Sequence, residues 1–223
     1  MNTTMKKNAD HLIQQDVIDE LAWSPELNDT RIGVSLLDGA VTLTGEVDSH
    51  AERNAAVKAA MRVAGVSVVA DELEVRRKAT ARPTDTEIAA AIREALKWTS
   101  KVPGDSVKVE VRDHVAILTG QVTYQFQRRE AAELVGNVIG VEHVQNRIEL
   151  APRASASDTG EHIRRALIRN AATDADAIRV TTVGTDVTLA GTVRTWLERS
   201  EAARAAWSSP HVTSVHNNIQ VRP

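Results

Sequence analysis

Three segments of the chain repeat one pattern in one register, and this constrains the fold more than any other feature. Each has Thr or Ala, then Gly-x-Val, after an alternating apolar stretch: Thr44-Gly45-Glu46-Val47, Thr119-Gly120-Gln121-Val122 and Ala190-Gly191-Thr192-Val193. Counted from the glycine, Leu21, Leu96 and Leu167 lie 24 residues before it, and Val34, Val109 and Val180 lie 11 before it. Leu43, Leu118 and Leu189 lie two before it; Val66, Val141 and Val212 follow at 21, and Leu73, Ile148 and Ile219 at 28. No gap is needed. The glycines stand 75 and then 71 residues apart. Each copy is therefore a small domain near the lower size limit for folding alone, and too long for a helical solenoid repeat of about 34–47 residues.

The register divides the chain into a disordered tail over 1–9 and units over 10–75, 84–150 and 157–222. The connectors, 76–83 and 151–157, are polar, contain proline and lack large apolar residues, as linkers do.

The middle copy shows its elements most clearly. Thr84 and Glu87 have the spacing of a capping box. Ile88, Ala91, Ile92, Ala95 and Leu96 recur at helical steps, and Pro103-Gly104 stops the helix. Val107, Val109 and Val111 alternate with Lys108, Glu110 and Arg112, the pattern of a strand with one face in the core and one in water. A tight turn at Asp113-His114 leads into a second strand over 115–122; the first copy has Asp38-Gly39 there, a strong hairpin signal. A second helix over 125–137 carries Ala131, Leu134, Val135 and Val138, and a third strand over 141–150 closes the copy. The order is α-β-β-α-β. Two helices cover only one face of three strands, so the expected class is α+β: three tandem two-layer sandwiches.

The repeated glycines read as structural. Gly45, Gly120 and Gly191 sit where a strand hands over to a helix, a place for a bulge or positive φ. Gly65 and Gly140 read as residues that end the second helix. None belongs to a GxGxxG or P-loop pattern. In the third copy His211, after Pro210, replaces the second glycine, so that helix must end by another device.

These segments resemble the BON domain, the bacterial osmotically-inducible-protein and nodulation module. The strand Val41–Val47 and the closing segment Gly140-Val141-Glu142-His143-Val144-Gln145-Asn146-Arg147-Ile148 carry the likeness, and both recur in the other copies. Asn217 keeps the asparagine of the closing segment; Asp71 replaces it in the first copy. The resemblance spans about residues 10–222. It implies an α/β fold of the order just derived and a non-catalytic, transport-associated module. It also implies attachment to phospholipid or envelope surfaces and a link to osmotic and envelope stress. Many members are periplasmic or lipid-anchored. Here no apolar run of about 7–15 residues follows Lys6 and Lys7, and there is no lipobox cysteine, so a cytoplasmic location is expected.

Composition narrows the chemistry. The 223 residues include no Cys, one Phe, one Tyr and four Trp, with 42 % hydrophobic residues and a net charge of −3. Thiol catalysis, disulfides and thiolate-bound metals are excluded. The seven histidines hold no common position in the copies, and His211 and His216 read as two residues of one strand, pointing to opposite faces. No HExxH, Gly-x-Ser-x-Gly or EF-hand loop occurs. No cofactor, metal or catalytic residue is expected, and the chain reads as a non-enzyme.

Binding candidates are aromatic and basic. Trp23 and Trp98 share a position two residues after the common leucine, where Arg169 stands in the third copy. The favoured reading packs them at the edge of a core; the alternative is anchoring at a water–lipid boundary. Residues 10–75 carry a charge of −9, 84–150 one of −2 and 157–223 one of +1. The linker 76–83 adds four positive charges and is read as solvated. Nucleic acid is disfavoured by the acidic balance and the lack of strand aromatics. The surface candidates are Trp98, Tyr124 and Phe126 in the middle unit and Arg164, Arg165 and Trp196 in the third. The expected partner is a phospholipid surface or another protein, and the alternative is self-assembly into a homo-oligomer without lipid.

Overall fold

The computed structural model describes residues 3–76, 83–169 and 177–222. Its elements repeat in threes. The first copy has α1 (Thr3–Ala22), β1 (Ile32–Leu37), β2 (Ala40–Val47), α2 (His50–Arg62) and β3 (Val68–Val75). The second has α3 (Asp85–Trp98), β4 (Val107–Arg112), β5 (Val115–Val122), α4 (Gln125–Gly136) and β6 (His143–Leu150). The third has α5 (Thr159–Arg169), β7 (Ile178–Val183), β8 (Asp186–Val193), α6 (Trp196–Trp207) and β9 (Ser214–Val221). The class is α+β, in three α-β-β-α-β units. Helix α1 begins inside the stretch read as a disordered tail. No Gly or Pro interrupts residues 1–23, so nothing in the backbone stops the helix from extending upstream of Asp10.

Each unit has its own three-stranded sheet, ordered β1-β2-β3, β4-β5-β6 and β7-β8-β9. The hairpin strands are antiparallel, with Val34 opposite Leu43, Val109 opposite Leu118 and Val180 opposite Leu189. The closing strands β6 and β9 pair parallel to β5 and β8 in one shared register, Gly120 opposite Ile148 and Gly191 opposite Ile219. A parallel partner requires a crossover, and the second helix of each unit supplies it.

The shared apolar register is the core. Leu43, Leu118 and Leu189 on the central strands are wholly buried, and Leu21, Leu96 and Leu167 of the first helices lie buried above the sheets. By contact the chain divides into two compact units. One comprises Met1–Gly45, Ala55–Leu73 and Arg153–Pro223; the other comprises Glu46–Asn54 and Glu74–Pro152.

The hairpin turns use positive φ, at Asp38 and Gly39, at Asp113 and His114, and at Gly184. In two copies an aspartate at the same register holds the turn: Asp10 accepts from the Asp38 amide at 3.0 Å, and Asp85 from the amides of Asp113 and His114 at 2.9 and 3.0 Å. Gly45, Gly120 and Gly191 have φ of 114°, 124° and 144°. A Cβ there would stand 2.0–2.1 Å from the carbonyl oxygen of Arg31, Ser106 or Ala177. Gly65 and Gly140 do not end the helices. Helix α2 stops at Arg62 and α4 at Gly136, and a further turn intervenes, with Val141 N donating to Val138 O. Both have positive φ, 92° and 96°, in the turn after the helix, and a Cβ would also fall 2.6 Å from Ile13 Cδ1 at Gly65 and 2.7 Å from Pro83 Cγ at Gly140. Helix α6 ends on Ser208, whose amide and hydroxyl both donate to the Arg204 carbonyl.

The second linker rests on the third copy: Arg153 donates to the Pro210 carbonyl, and His211 Nδ1 lies 3.2 Å from Ala154 O. Most of the first linker, 77–82, lies outside the described residues. At its start the Arg76 amide donates to Val47 O, and its guanidinium sits 3.4 Å from Asp48 Oδ1.

Candidate functional site

The antiparallel pairing of β4 with β5 sets Val107 opposite Gly120. This places the loop that follows α3 and the loop that precedes α4 at the same end of the second copy. Lys101, in the first loop, donates to Glu130 of α4 at 2.6 Å and ties the two together. Trp98 closes α3 at this end and Tyr124 precedes α4. The Tyr124 and Phe126 rings stack with centroids 5.7 Å apart and planes 16° apart. Tyr124 N donates to Gln127 Oε1, which fixes the start of the helix. All three rings face water: Trp98 is 84 % exposed, Phe126 50 % and Tyr124 40 %. Lys97 and Lys101 stand at the same end, each with a carboxylate beside it, Glu94 at 3.9 Å and Glu130 at 2.6 Å, so this end of the copy carries exposed aromatics and paired charges.

A family model of the BON domain matches residues 9–77, 84–152 and 155–223. The chain belongs to the BON domain family. Over 124 residues, 54 % of this chain, it is 36 % identical to osmotically-inducible protein Y of Escherichia coli K12. The match spans 62 % of that protein's length. Two solved structures of CdsD, a structural protein of the type III secretion system of Chlamydia trachomatis, align over 94 % of this chain at 11 % and 12 % identity. The alignments cover 96 % and 91 % of those chains, with a TM-score of 0.27 in both cases.

Across the three BON repeats the tryptophans part company. Trp23 and Trp98, expected at the edge of a core, are 85 % and 84 % exposed. The reason is angular. Each follows a buried leucine by two residues, and two helical steps of about 100° turn a side chain nearly to the opposite face. The signal was therefore present in the two-residue offset from Leu21 and Leu96. Trp207 does pack on the core of the third BON repeat. Trp196 is half-buried: its Nε1 donates to Ser67 O of the first repeat at 3.1 Å, and the Arg199 guanidinium lies 4.9 Å from its ring centre. That ring is engaged within the chain rather than presented to a partner.

Arg164 and Arg165 stand exposed on α5 of the third repeat, and Arg165 pairs with Glu161 at 3.0 Å. His211 lies in the turn before β9, not on the strand, so of this pair His216 alone is a strand residue. The rings of His50 and His143 meet edge to face at 5.6 Å. Among the described residues no group of three His, Asp or Glu could hold a metal ion. No described helix is long and apolar enough to cross a membrane.

Proposed function

We propose that this BON protein is a non-catalytic, stress-associated attachment protein that docks on phospholipid surfaces through the aromatic end of its second repeat. The observation that carries the reading is the exposure of Trp98, Tyr124 and Phe126 at one end of one small domain. An indole 84 % exposed keeps most of its apolar ring in water, an arrangement that burial against an apolar surface relieves. Trp and Tyr favour the boundary between water and lipid, where an apolar ring and a polar edge are both satisfied. Lys97 and Lys101, exposed although each lies beside a carboxylate, are the groups that would turn to anionic headgroups, an attraction that salt screens. The likeness to a protein named for osmotic induction supports the stress association.

Flotation of the full chain with anionic and neutral vesicles across a salt series tests this. Co-flotation with anionic vesicles is expected, weakened by salt and lost in Trp98→Ala and in Tyr124→Ala/Phe126→Ala. Absence of flotation under every condition, or flotation unchanged in both variants, overturns the reading.

A further inference from the structure

In each repeat the first strand is an edge of its sheet, and the repeats treat this edge differently. In the first, Gln14 of α1 donates its side-chain amide to Val34 O of β1 at 2.7 Å. That carbonyl therefore points away from β2, onto the free edge, and Gln14 covers it. Strand β4 has the same register, Val109 opposite Leu118 as Val34 is opposite Leu43, so the Val109 carbonyl also points outward. The residue at Gln14's register is Ala89, which is too short to reach a carbonyl and has nothing to donate. An open groove of about 770 Å³ lies here instead, lined by Ala89, Ala90 and Arg93 of α3 and by Val107, Lys108 and Val109 of β4.

An uncovered edge is a template for another strand. The outward-facing charges of β4 say which strand fits. Lys108 and Glu110 flank Val109 and are both exposed. If a second β4 runs antiparallel with Val109 opposite its own copy, each Lys108 faces a Glu110, and Val107 faces Val111. The opposite charges meet on the water side and the valines on the core side. Because Val109 points its backbone polar groups outward, so do Val107 and Val111, and the three pairs exchange about six N–H···O bonds. A one-residue slip sets each charged side chain opposite a valine, and a two-residue slip sets Glu110 against Glu110 and Lys108 against Arg112, so pattern and charge both select the register. The equivalent strands lack this code: β1 has no charged residue and β7 only Arg179. In the isolated chain Glu110 pairs along its own strand with Arg112 at 2.5 Å, an exposed contact that leaves room for a second cation.

We propose that β4 is a self-complementary edge through which two copies of this chain join their second repeats into one six-stranded sheet. The contact uses none of Trp98, Tyr124 and Phe126, so it stands or falls apart from lipid attachment.

Sedimentation equilibrium of the full chain, with hydrogen exchange at the Val109 amide, tests it. A monomer–dimer equilibrium is expected, with Val109 exchange slowing as concentration rises. Ala89→Gln restores the cover seen in the first repeat and should give a monomer with unchanged circular dichroism. Lys108→Glu sets like charges across the axis twice and should weaken the dimer about tenfold or more. The double variant Lys108→Glu/Glu110→Lys restores opposite charges, and with them the dimer. A wild-type chain still monomeric at about 1 mM overturns the proposal, because an association of even that Kd would show. So does a dimer indifferent to Ala89→Gln and Lys108→Glu, or a monomer whose β4 edge protects its amides only with an added extended peptide.

Discussion

Asn146 joins the closing strand of the second repeat to the helix above it: its Nδ2 donates to Arg128 O at 2.8 Å while its Oδ1 accepts from Ile148 N at 3.2 Å. Asn217 makes the same two bonds in the third repeat, to Arg199 O and from Ile219 N. Asp71, at this register in the first, accepts from Leu73 N at 3.1 Å but has no N–H to offer a helix carbonyl. The asparagine amide carries its donor and its acceptor on separate atoms, so it reaches the helix carbonyl and the strand amide at once. Asn146→Asp should keep the strand bond and lose the helix bond, at about 0.5–1.5 kcal/mol. Urea unfolding followed by exchange at the α4 amides reads the loss.

Gly120 and Gly184 both have positive φ, and they should respond very differently to alanine. At Gly120 the new methyl would stand 2.1 Å from Ser106 O, backbone that cannot swing aside. At Gly184, with φ 62°, it would meet nothing within 4 Å. Gly184→Ala should cost about 1–2 kcal/mol, the strain of the left-handed region. Gly120→Ala should cost more than about 4 kcal/mol or prevent the second repeat from folding. Thermal melts of the two variants check the contrast.

Trp98→Ala should leave stability within about 0.5 kcal/mol of the parent, because the indole is a surface group. Any loss of vesicle flotation in that variant then reports the surface and not the fold. Iodide quenching offers a companion check: Trp23 and Trp98 should be readily quenched, and Trp196 and Trp207 shielded.

The capping box at the start of α3 supplies a pH signature. Glu87 accepts from Thr84 N at 2.7 Å and from Thr84 Oγ1 at 2.9 Å, and these bonds hold its carboxyl below the ordinary 4.5. A lowered pKa in the folded state stabilises above the unfolded value and loses that contribution as pH falls through the folded one. The difference in melting temperature between the parent and Glu87→Gln should be flat above about pH 5.5 and shrink below about pH 4.5. Thr84→Ala should cost about 0.5–2 kcal/mol at neutral pH.

The strands were legible because alternation leaves little freedom: Val107, Val109 and Val111 face the core in the structure as their spacing requires, and 115–122 is a strand to the residue. The helix ends were less so. Gly140 has the positive φ, 96°, that a helix terminator also uses, but it follows the end of α4 by four residues, and its approach to Pro83 and Ile88 comes from more than fifty residues upstream. The aromatic end was read residue by residue, but the stacking of Tyr124 on Phe126 and the engagement of Trp196 with Ser67 depend on tertiary placement. The uncovered edge at Ala89 appears only when the copies are laid in register and Gln14 is seen to reach Val34.

The shared register of β5 with β6 and of β8 with β9 has a consequence for biosynthesis. In each repeat the hairpin emerges first, and its central strand keeps one side vacant until the closing strand is made. About 28 residues separate the end of β5 from the end of β6, a wait of roughly 1–6 s at ordinary translation speed. During that interval a nascent chain, or a neighbour on the same message, offers closing strands from other copies that fit the vacancy in the same alignment. One shared position tells the first copy from the other two: Asp71 stands where Asn146 and Asn217 make the same pair of bonds. Between the second and third copies the order of synthesis does the sorting, because β9 does not yet exist while β5 waits for β6.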